Sequence, residues 1–318
     1  MSRSTARIAV LIPCHNEAVT IAKVVGDFRA ALPQATIHVF DNNSRDATTA
    51  VATDAGAVVR HVSLQGKGNV VRRMFADVEA DVYLLVDGDD TYDAASAPAL
   101  VERLCREQLD MVVGVRAARN AAAYRPGHAF GNRLLTGFLS RLFGRTCNDI
   151  LSGYRAFSRR FVKSFPVFSR GFEIETELTV HALEMSMPVG EVETAYKERP
   201  AGSTSKLKTY RDGARILLTI LRLYSIERPL QFYGGIAATL AVAAIVLVVP
   251  IFRTYLETGL VPRFPTAILA TGMMILAALS FFAGLILATV TRGRQEGKAL
   301  SYLQQLPPPP DREHDSIR

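Results

Sequence analysis

The first 116 residues alternate short apolar runs with segments of helical periodicity. Five apolar runs are typical of buried strands: Arg7–Pro13, Ile37–Asp41, Ala57–Val62, Val82–Val86 and Asp110–Val115. The segments between them predict helices over Glu17–Leu32, from about Asp46, from Gly66 to about Glu79, and over Ser96–Glu107. This alternation predicts an α/β fold, in which a mostly parallel, Rossmann-like sheet carries helices on both faces.

The predicted strands end in polar residues, at Pro13–Glu17, Asp41–Asn42, Asp87–Asp89 and Arg116. Ligands bind beyond the carboxyl ends of the strands in such sheets, so these residues predict a site. On extended backbone Asp87 and Asp89 would point the same way, and Gly88 would let a ligand approach between them. Two carboxylates here suit Mg²⁺ or Mn²⁺, which usually also hold substrate phosphates. The alternative is an acidic turn between a strand and a helix.

The sequence Gly66-Lys67-Gly68 opens the third predicted helix. It could cradle a phosphate at the helix N-terminus, and an ordinary loop explains it equally well. Neither a Walker motif nor a GxGxxG after the first strand is present.

Two charge-free runs follow, with 19 residues at Gly234–Phe252 and 28 at Phe264–Thr291. Both are about long enough to span a membrane, so we expect transmembrane helices at about 232–253 and 264–291. Basic residues precede the first run and follow the second: Arg211, Arg215, Arg222, Arg228, Arg292, Arg294 and Lys298. This bias predicts a multi-pass protein of the inner (plasma) membrane, with the N-terminal domain and both termini in the cytosol.

Two amphipathic segments, Phe130–Gly144 and Lys208–Ile226, have an apolar and a basic face. Core helices would explain them, and interfacial helices are favoured because of the apolar runs nearby. The predicted organisation is therefore a cytosolic domain over residues 1–207, a juxtamembrane helix over 208–229 and a transmembrane hairpin over 230–292. A disordered tail is expected over 293–318, which contains Pro307–Pro310.

Composition narrows the class of partner. The 318 residues carry a net charge of +7 and a mean hydropathy of +0.15, which favours an anionic partner such as a phosphorylated substrate or anionic lipid. Nucleic acid is not expected, because no motif or interleaving of basic and aromatic residues supports it. Three separated cysteines indicate reduced thiols, and the polar N-terminus gives no sign of a signal peptide.

Six short motifs, in order, resemble a known family: Ile12–Glu17, Phe40–Ser44, Asp87–Asp89, Gly114–Arg116, Asp149–Arg155, and Glu198-Arg199 followed by Ser205–Leu207. They look like family 2 glycosyltransferases of the GT-A fold. The last two motifs and the two-helix anchor resemble the polyprenyl-phosphate glycosyltransferases, the group that contains dolichyl-phosphate mannose synthase. The resemblance covers about residues 7 to 210.

The resemblance implies roles for individual residues. The nucleotide sugar would be held by Pro13, His15, Glu17, Phe40, Asp41, Asn42, Asp87, Gly88, Asp89, Arg199 and Lys206. The catalytic set would be Asp87, Asp89, Arg116 and Arg199, and the metal, Mg²⁺ or Mn²⁺, would bind Asp89 and Thr91. Many relatives carry Gln at position 91, so the second ligand stays open among Thr91, Asp90, Asp93 and water. The acceptor phosphate would meet Arg116, Arg133, Thr136, Ser152 and Arg155.

The implied reaction is the inverting transfer of a hexose from a UDP- or GDP-sugar to a polyprenyl phosphate such as undecaprenyl or dolichyl phosphate. The product would be a lipid-linked sugar for cell-envelope glycan or glycoconjugate synthesis, and the anchors would allow a homo-oligomer such as a tetramer. One alternative is a membrane-bound polysaccharide synthase, but its QxxRW motif needs a Trp and this chain has none. Another is a non-catalytic, nucleotide-binding membrane scaffold, which Asp87, Asp89 and Arg199 argue against.

Overall fold

A computed structural model describes residues 6–116, 137, 148–167, 171, 173–197, 218 and 221–309. The described residues fall into two compact units, one of residues 1–216 with 298–318 and the other of residues 217–297. Four of the predicted site residues, Arg133, Thr136, Arg199 and Lys206, lie outside the described residues. The same holds for the amphipathic segment 130–144, apart from residue 137, and for most of the segment 208–226.

The first unit is built on a seven-stranded sheet of order β3-β2-β1-β4-β6-β5-β7. Its strands are β1 (Ile8–Cys14), β2 (Thr36–Asp41), β3 (Val58–His61), β4 (Val82–Leu85), β5 (Met111–Arg116), β6 (Arg155–Ser158) and β7 (Val189–Thr194). Neighbouring strands run parallel, except that β6 is antiparallel to both β4 and β5. The predicted mostly parallel α/β fold is therefore confirmed.

Six helices connect or flank these strands: α1 (Ile21–Ala31), α2 (Thr48–Asp54), α3 (Lys67–Asp77), α4 (Ala97–Arg106), α5 (Arg159–Ser164) and α6 (Ile174–Glu184). The five strands and four helices predicted in the first 116 residues are present, with ends that differ by a few residues. Sequence patterns missed β6 and β7. Strand β6 has only four residues, and all four are buried, so it lacks the alternation that marks a half-exposed strand.

Strand β6 inserts between β4 and β5. These two strands follow each other among the strands predicted from the sequence, but they are not neighbours in the sheet. The carboxyl end of β4 pairs with the start of β6, at Leu85 and Arg155. On the other side of the sheet Cys14 at the end of β1 pairs with Asp41 at the end of β2. The chain segments that follow β1, β2 and β4 therefore leave the sheet at one edge, where the candidate site lies.

The second unit contains two long apolar helices, α7 (Pro229–Thr258) and α8 (Phe264–Leu303), the last residues of which belong to the first unit. Both are long and apolar enough to cross a membrane. The mean hydropathies of their most apolar stretches are 2.6 and 2.4, and most residues of these stretches are not buried within the protein. They approach closely at Gly284, where an added Cβ would lie 3.0 Å from Tyr233 Cβ. Arg294 also pairs at 2.9 Å with Glu227, two residues before α7, so an ion pair links α8 to the segment that leads into α7.

The expected disordered tail is wrong for its first part, because α8 continues to Leu303. Lys298 pairs with the buried Glu184 of α6 at 2.6 Å. The Tyr302 hydroxyl donates to Asp110 Oδ2 at 2.8 Å, and the Arg160 guanidinium lies 5.0 Å from the Tyr302 ring centroid. The proline-rich sequence predicted that the tail would not pack on the domain. Polar contacts with other parts of the first unit nevertheless hold residues Lys298 and Tyr302 in place.

Asp110 is fully buried and ties this segment to the sheet. Its Oδ1 accepts hydrogen bonds from Ser158 Oγ and Arg160 Nε, both at 2.6 Å. Its Oδ2 accepts the Tyr302 bond, so removing the Tyr302 hydroxyl would take a donor away from a buried carboxylate.

We therefore expect Tyr302→Phe to lower the thermal unfolding midpoint of the detergent-solubilised protein by about 5 °C. A hydrogen bond to a buried carboxylate contributes about 1.5–3 kcal/mol, and its loss leaves a charged acceptor unsatisfied. Tyr255→Phe is the matched control, since Tyr255 is exposed in α7. Equal midpoints for Tyr302→Phe and the control, measured by intrinsic fluorescence, would show that this contact does not stabilise the protein.

Candidate active site

The residues predicted to hold the nucleotide lie where β1 and β2 end. Asp41 is buried, and its Oδ2 accepts a bond from Ser44 N at 3.3 Å and lies 3.2 Å from His61 Nδ1. Its Oδ1 is also buried and has no hydrogen-bond donor within the described part of the chain. His15 Nδ1 donates to the Asn42 carbonyl at 2.8 Å, which orients the ring. Asp41 therefore presents an acceptor that suits an N–H group of a ligand.

Asn42 fastens the loop that leads from β3 into α3. Its side-chain amide donates to the carbonyls of Val62 and Leu64 at 2.9 and 2.8 Å, while Oδ1 accepts from Gly66 N at 2.7 Å. A carboxylate in its place could not donate the first two bonds. The Asn42 amide is therefore used within the protein, and its predicted contact with the nucleotide stays a prediction.

Phe40 and Gly88 also serve packing. Phe40 is fully buried beneath the Arg60 guanidinium, so its ring does not reach a ligand. At Gly88 an added Cβ would lie 2.7 Å from Cys14 Sγ, so the turn packs directly on β1. In the direction of a side chain the cysteine fills the space at Gly88, and the predicted approach of a ligand to its backbone stays a prediction. Pro13 lies in β1 and Glu17 lies in the segment that joins β1 to α1, and both are partly exposed.

The two acidic residues after β4 have different surroundings. Strand β4 ends at Leu85 and Gly88–Asp89 form a turn, so the extended backbone expected from the sequence is absent. The Asp87 side chain is 27% exposed and accepts a bond from Lys67 Nζ at 2.5 Å. Asp89 is buried and accepts bonds from the Thr91 hydroxyl at 2.6 Å and from Thr91 N at 3.3 Å. Because of this turn the two carboxylates have different surroundings, and each can take a different role.

Four carboxylates surround the Cys14 thiol. Burial raises the pKa of Cys14, and the nearby charges of Glu17, Asp41, Asp87 and Asp89 raise this pKa further. This shared influence indicates that the acidic ends of β1, β2 and β4 converge, as the sequence predicted. A region so rich in negative charge attracts cations and needs them before a diphosphate can enter.

Asp89 and Thr91 offer oxygen donors of the kind that hard divalent cations prefer. The Thr91 hydroxyl donates its proton to Asp89, so it orients that carboxylate. Asp90 is paired with Lys23 at 2.9 Å, which leaves it less suited as a ligand. Among the described residues no three His, Cys, Asp or Glu side chains group to hold a metal. The donor set fits a metal that arrives with substrate phosphates, as Mg²⁺ commonly does.

Arg116 forms the opposite side of the site at the end of β5. Its guanidinium makes a bidentate pair with the buried Asp149, with both bonds at 2.7 Å. It also lies 5.4 Å from the Tyr196 ring centroid, a cation–π distance. These contacts hold the cation at the strand end, where the sequence placed it. Its predicted contact with donor or acceptor stays a prediction.

Ser152 and Arg155 were predicted to meet the acceptor, and both side chains are fully buried within the protein. Ser152 Oγ donates to the Gly114 carbonyl at 2.7 Å. Arg155 donates from Nε to the Ser152 carbonyl and from Nη1 to Thr179 Oγ1, at 2.9 and 2.8 Å. The motif Asp149–Arg155 therefore builds a loop around its own arginine, and the acceptor role expected for these two residues stays a prediction.

Several residues of this site escaped the sequence reasoning. Tyr92 accepts a bond from Gly153 N at 2.8 Å and packs on Tyr196. Burial raises the pKa of Tyr92, and Asp87 raises it further while Arg116 and Lys67 lower it, so this ring lies among the charged groups. Glu175 at the start of α6 accepts a bond from Lys67. Only the motif Gly66-Lys67-Gly68 carried a signal, as a weak phosphate loop.

Lys67 bridges Asp87 and Glu175 with bonds of 2.5 and 2.6 Å. Burial alone would lower the pKa of Lys67, but the charges of the two carboxylates outweigh it and raise this pKa. Lys67 therefore stays an ammonium at physiological pH. Burial raises the pKa of Glu175, opposed by the charge of Lys67.

The fold and the converging strand-end carboxylates define a glycosyltransferase domain of the GT-A type. Residues 9–165 match the model of the family described as Glycosyl transferase family 2. The glycosyltransferase AglJ of Haloferax volcanii is 37% identical over 235 residues, which cover 72% of this chain and 76% of that protein. The chain therefore belongs to glycosyl transferase family 2, and the predicted enzyme class and family are confirmed.

Two further comparisons extend this result. The dolichyl-phosphate hexose transferase of Haloferax volcanii is 28% identical over 221 residues, covering 70% of this chain and 95% of that protein. The fold is similar to that of glucosyl-3-phosphoglycerate synthase from Mycobacterium tuberculosis, solved with Mn²⁺, UDP and glucosyl-3-phosphoglycerate. That likeness has a TM-score of 0.55 at 24% identity and covers 69% of this chain and 79% of that chain.

Gly153 leaves room for Asp87, since an added Cβ would lie 2.6 Å from Asp87 Oδ2 and 3.3 Å from Lys67 Nζ. We therefore expect Gly153→Ala to displace Asp87 and to lower the rate of sugar transfer about a hundredfold, as misplaced reacting groups do. Gly26→Ala is the control, because nothing lies within 4 Å of a Cβ there. Initial rates with saturating donor check this, and equal rates for both variants would contradict it.

Proposed function

We propose that this chain transfers a hexose from a nucleotide sugar to a polyprenyl phosphate and inverts the anomeric configuration. The main observation behind this proposal is that one chain combines the acidic strand ends of a GT-A domain with two exposed apolar helices. The acidic ends suit a metal-bound diphosphate, and the helices suit an enzyme whose second substrate is a lipid. The dolichyl-phosphate hexose transferase that this chain resembles is consistent with that acceptor.

The nucleotide would lie at the ends of β1 and β2. The buried Asp41 Oδ1 accepts an N–H, which both uracil and guanine supply, so UDP- and GDP-sugars are the donors to test. Asp87 would contact the donor sugar, and Asp89 would hold Mg²⁺ or Mn²⁺. When bound, the metal would stabilise the leaving diphosphate as a Lewis acid. Arg199 and Lys206 would close over the same diphosphate.

The acceptor needs positioning more than activation. A phosphate monoester has a second pKa of about 6, so it is mostly ionised at neutral pH and no general base is required. Arg116, held by Asp149 against Tyr196, would neutralise part of that charge. Arg133 and Thr136 remain proposed acceptor contacts.

The two apolar helices would anchor the enzyme in the inner (plasma) membrane. Arg222 and Arg228 precede α7, while Arg292 and Arg294 lie in α8 after its apolar stretch. By the positive-inside bias these residues would face the cytosol, together with the catalytic unit and both termini. A homo-oligomer held by these helices is part of the proposal.

The test is transfer of radiolabelled sugar from a panel of UDP- and GDP-sugars to undecaprenyl and dolichyl phosphate in detergent. We expect metal-dependent formation of a lipid-linked monosaccharide by the wild type. Asp89→Asn should lower the rate about a hundredfold or more, as the loss of electrostatic stabilisation does. Asp54→Asn, in an exposed part of α2, should retain full activity.

Three results would contradict the proposal. Asp89→Asn activity equal to wild type would remove the metal from the mechanism. A product that grows by repeated sugar addition would favour a polysaccharide synthase. Nucleotide binding without transfer to any lipid phosphate in the panel would favour a non-catalytic scaffold.

A further inference from the structure

Lys67 is held at a fixed point by the loop that precedes it. It is the first residue of α3 and follows Gly66, whose φ of 126° lies in a region that favours glycine. Gly66 N donates to Asn42 Oδ1, so the end of β2 determines where the helix starts. The Lys67 side chain is only 9% exposed, and its ammonium therefore cannot turn out to solvent without breaking this arrangement.

The bridge joins three separate elements of the fold. Asp87 follows β4, Glu175 lies in the first turn of α6, and Lys67 begins α3. Glu175 is 8% exposed, and its Oε2 is buried with no hydrogen-bond partner among the described residues. Removing the ammonium would leave two carboxylates facing each other in a buried place, which is strongly unfavourable. The bridge is thus expected to stay closed when substrates arrive.

A carboxylate oxygen that accepts a short bond from an ammonium is a poor ligand for a divalent cation. The cation would need to displace Lys67 Nζ or to approach a second positive charge closely. Asp87 Oδ1 is the oxygen in contact with Lys67, whereas Oδ2 lies on the side of Gly153. The neutral hydroxyl of Thr91 is one donor to Asp89, and the choice of Asp89 as the metal ligand is taken from the proposed function.

We propose that Lys67, held by Glu175, is a positioning residue that occupies Asp87 and so directs the metal to Asp89. Asp87 then keeps Oδ2 for the hydroxyl groups of the donor sugar. This inference rests on the proposed function, because it assigns the metal-diphosphate and the sugar to neighbouring carboxylates. It explains how two aspartates only two residues apart can carry separate tasks.

The test compares Mn²⁺ binding in variants of the full-length protein in detergent. The main variant is Lys67→Met with Glu175→Gln, which removes one charge of each sign and leaves Asp87 without its ammonium. Glu175→Gln alone keeps the Lys67–Asp87 pair. Lys163→Met is the matched control, since Lys163 is a mostly buried lysine that pairs with Glu79 and donates to the Phe75 carbonyl.

Mn²⁺ is titrated by electron paramagnetic resonance with UDP and, in parallel, with GDP present. We expect the double variant to bind Mn²⁺ about tenfold more tightly, because Asp87 becomes available as an additional ligand. Water-proton relaxation should show one fewer metal-bound water. Glu175→Gln and Lys163→Met should stay within about twofold of wild type, and sugar transfer by the double variant should fall.

Unchanged or weaker Mn²⁺ binding by a folded double variant would overturn the inference. If that variant does not fold, Lys67→Arg keeps the positive charge, and tenfold tighter Mn²⁺ binding in this variant would overturn the inference instead. Wild-type affinity in Lys67→Arg, combined with tighter binding in Lys67→Gln, would support it. The transfer assay on wild type tests the proposed function separately, because the Mn²⁺ titration does not depend on turnover.

Discussion

The buried ion bridge between Lys67, Asp87 and Glu175 is the constraint on which the arrangement of this site depends. A buried charge is tolerated only when it is paired and hydrogen-bonded, so each member requires the other two. Because they come from three elements, the bridge also fixes where α3 and α6 begin relative to the end of β4. Packing alone would bring these elements together, but the bridge selects one alignment of them.

Other polar contacts serve the same edge of the sheet. Asn42 holds the loop before Lys67, and Asp149 holds Arg116 against Tyr196. Each of these groups is satisfied by hydrogen bonds from a different part of the chain. The chemistry of the site is therefore carried by few groups, and most of the polar residues near it position those few.

Sequence patterns were sufficient for the strands and helices of the first 116 residues, because apolar runs and helical periodicity are local properties. They also placed Asp41, Asp87, Asp89 and Arg116 at or just after strand ends, as the structure does, while the roles of these residues stay predictions. They failed for β6, a short strand with no exposed position, and for Glu175, which lies in a helix whose residues are almost all buried. What those residues contact depends on pairings between distant segments, which no local pattern records.

The same limit applies to motif residues that pack within the protein, whose expected ligand roles stay predictions. Gly88, Ser152 and Arg155 lie in motifs that accompany the family, and the structure uses them to close the turn and the loop that frame the site. A motif marks a geometry as well as a chemistry. Only contacts in three dimensions show which residues of a motif pack within the protein, as the fully buried Arg155 and the partly exposed Arg116 illustrate.

The hydrogen bond between Tyr302 and Asp110 shows that the catalytic unit is discontinuous in sequence, because Tyr302 follows the apolar stretches of both long helices and still belongs to this unit. The helical hairpin is in this sense an insertion near the end of the catalytic unit. A soluble fragment cut before residue 217 would lose Tyr302 and Lys298, leaving Asp110 and Glu184 without these partners. Replacing the hairpin by a short polar linker while retaining residues 298–309 would instead preserve every described contact of the unit.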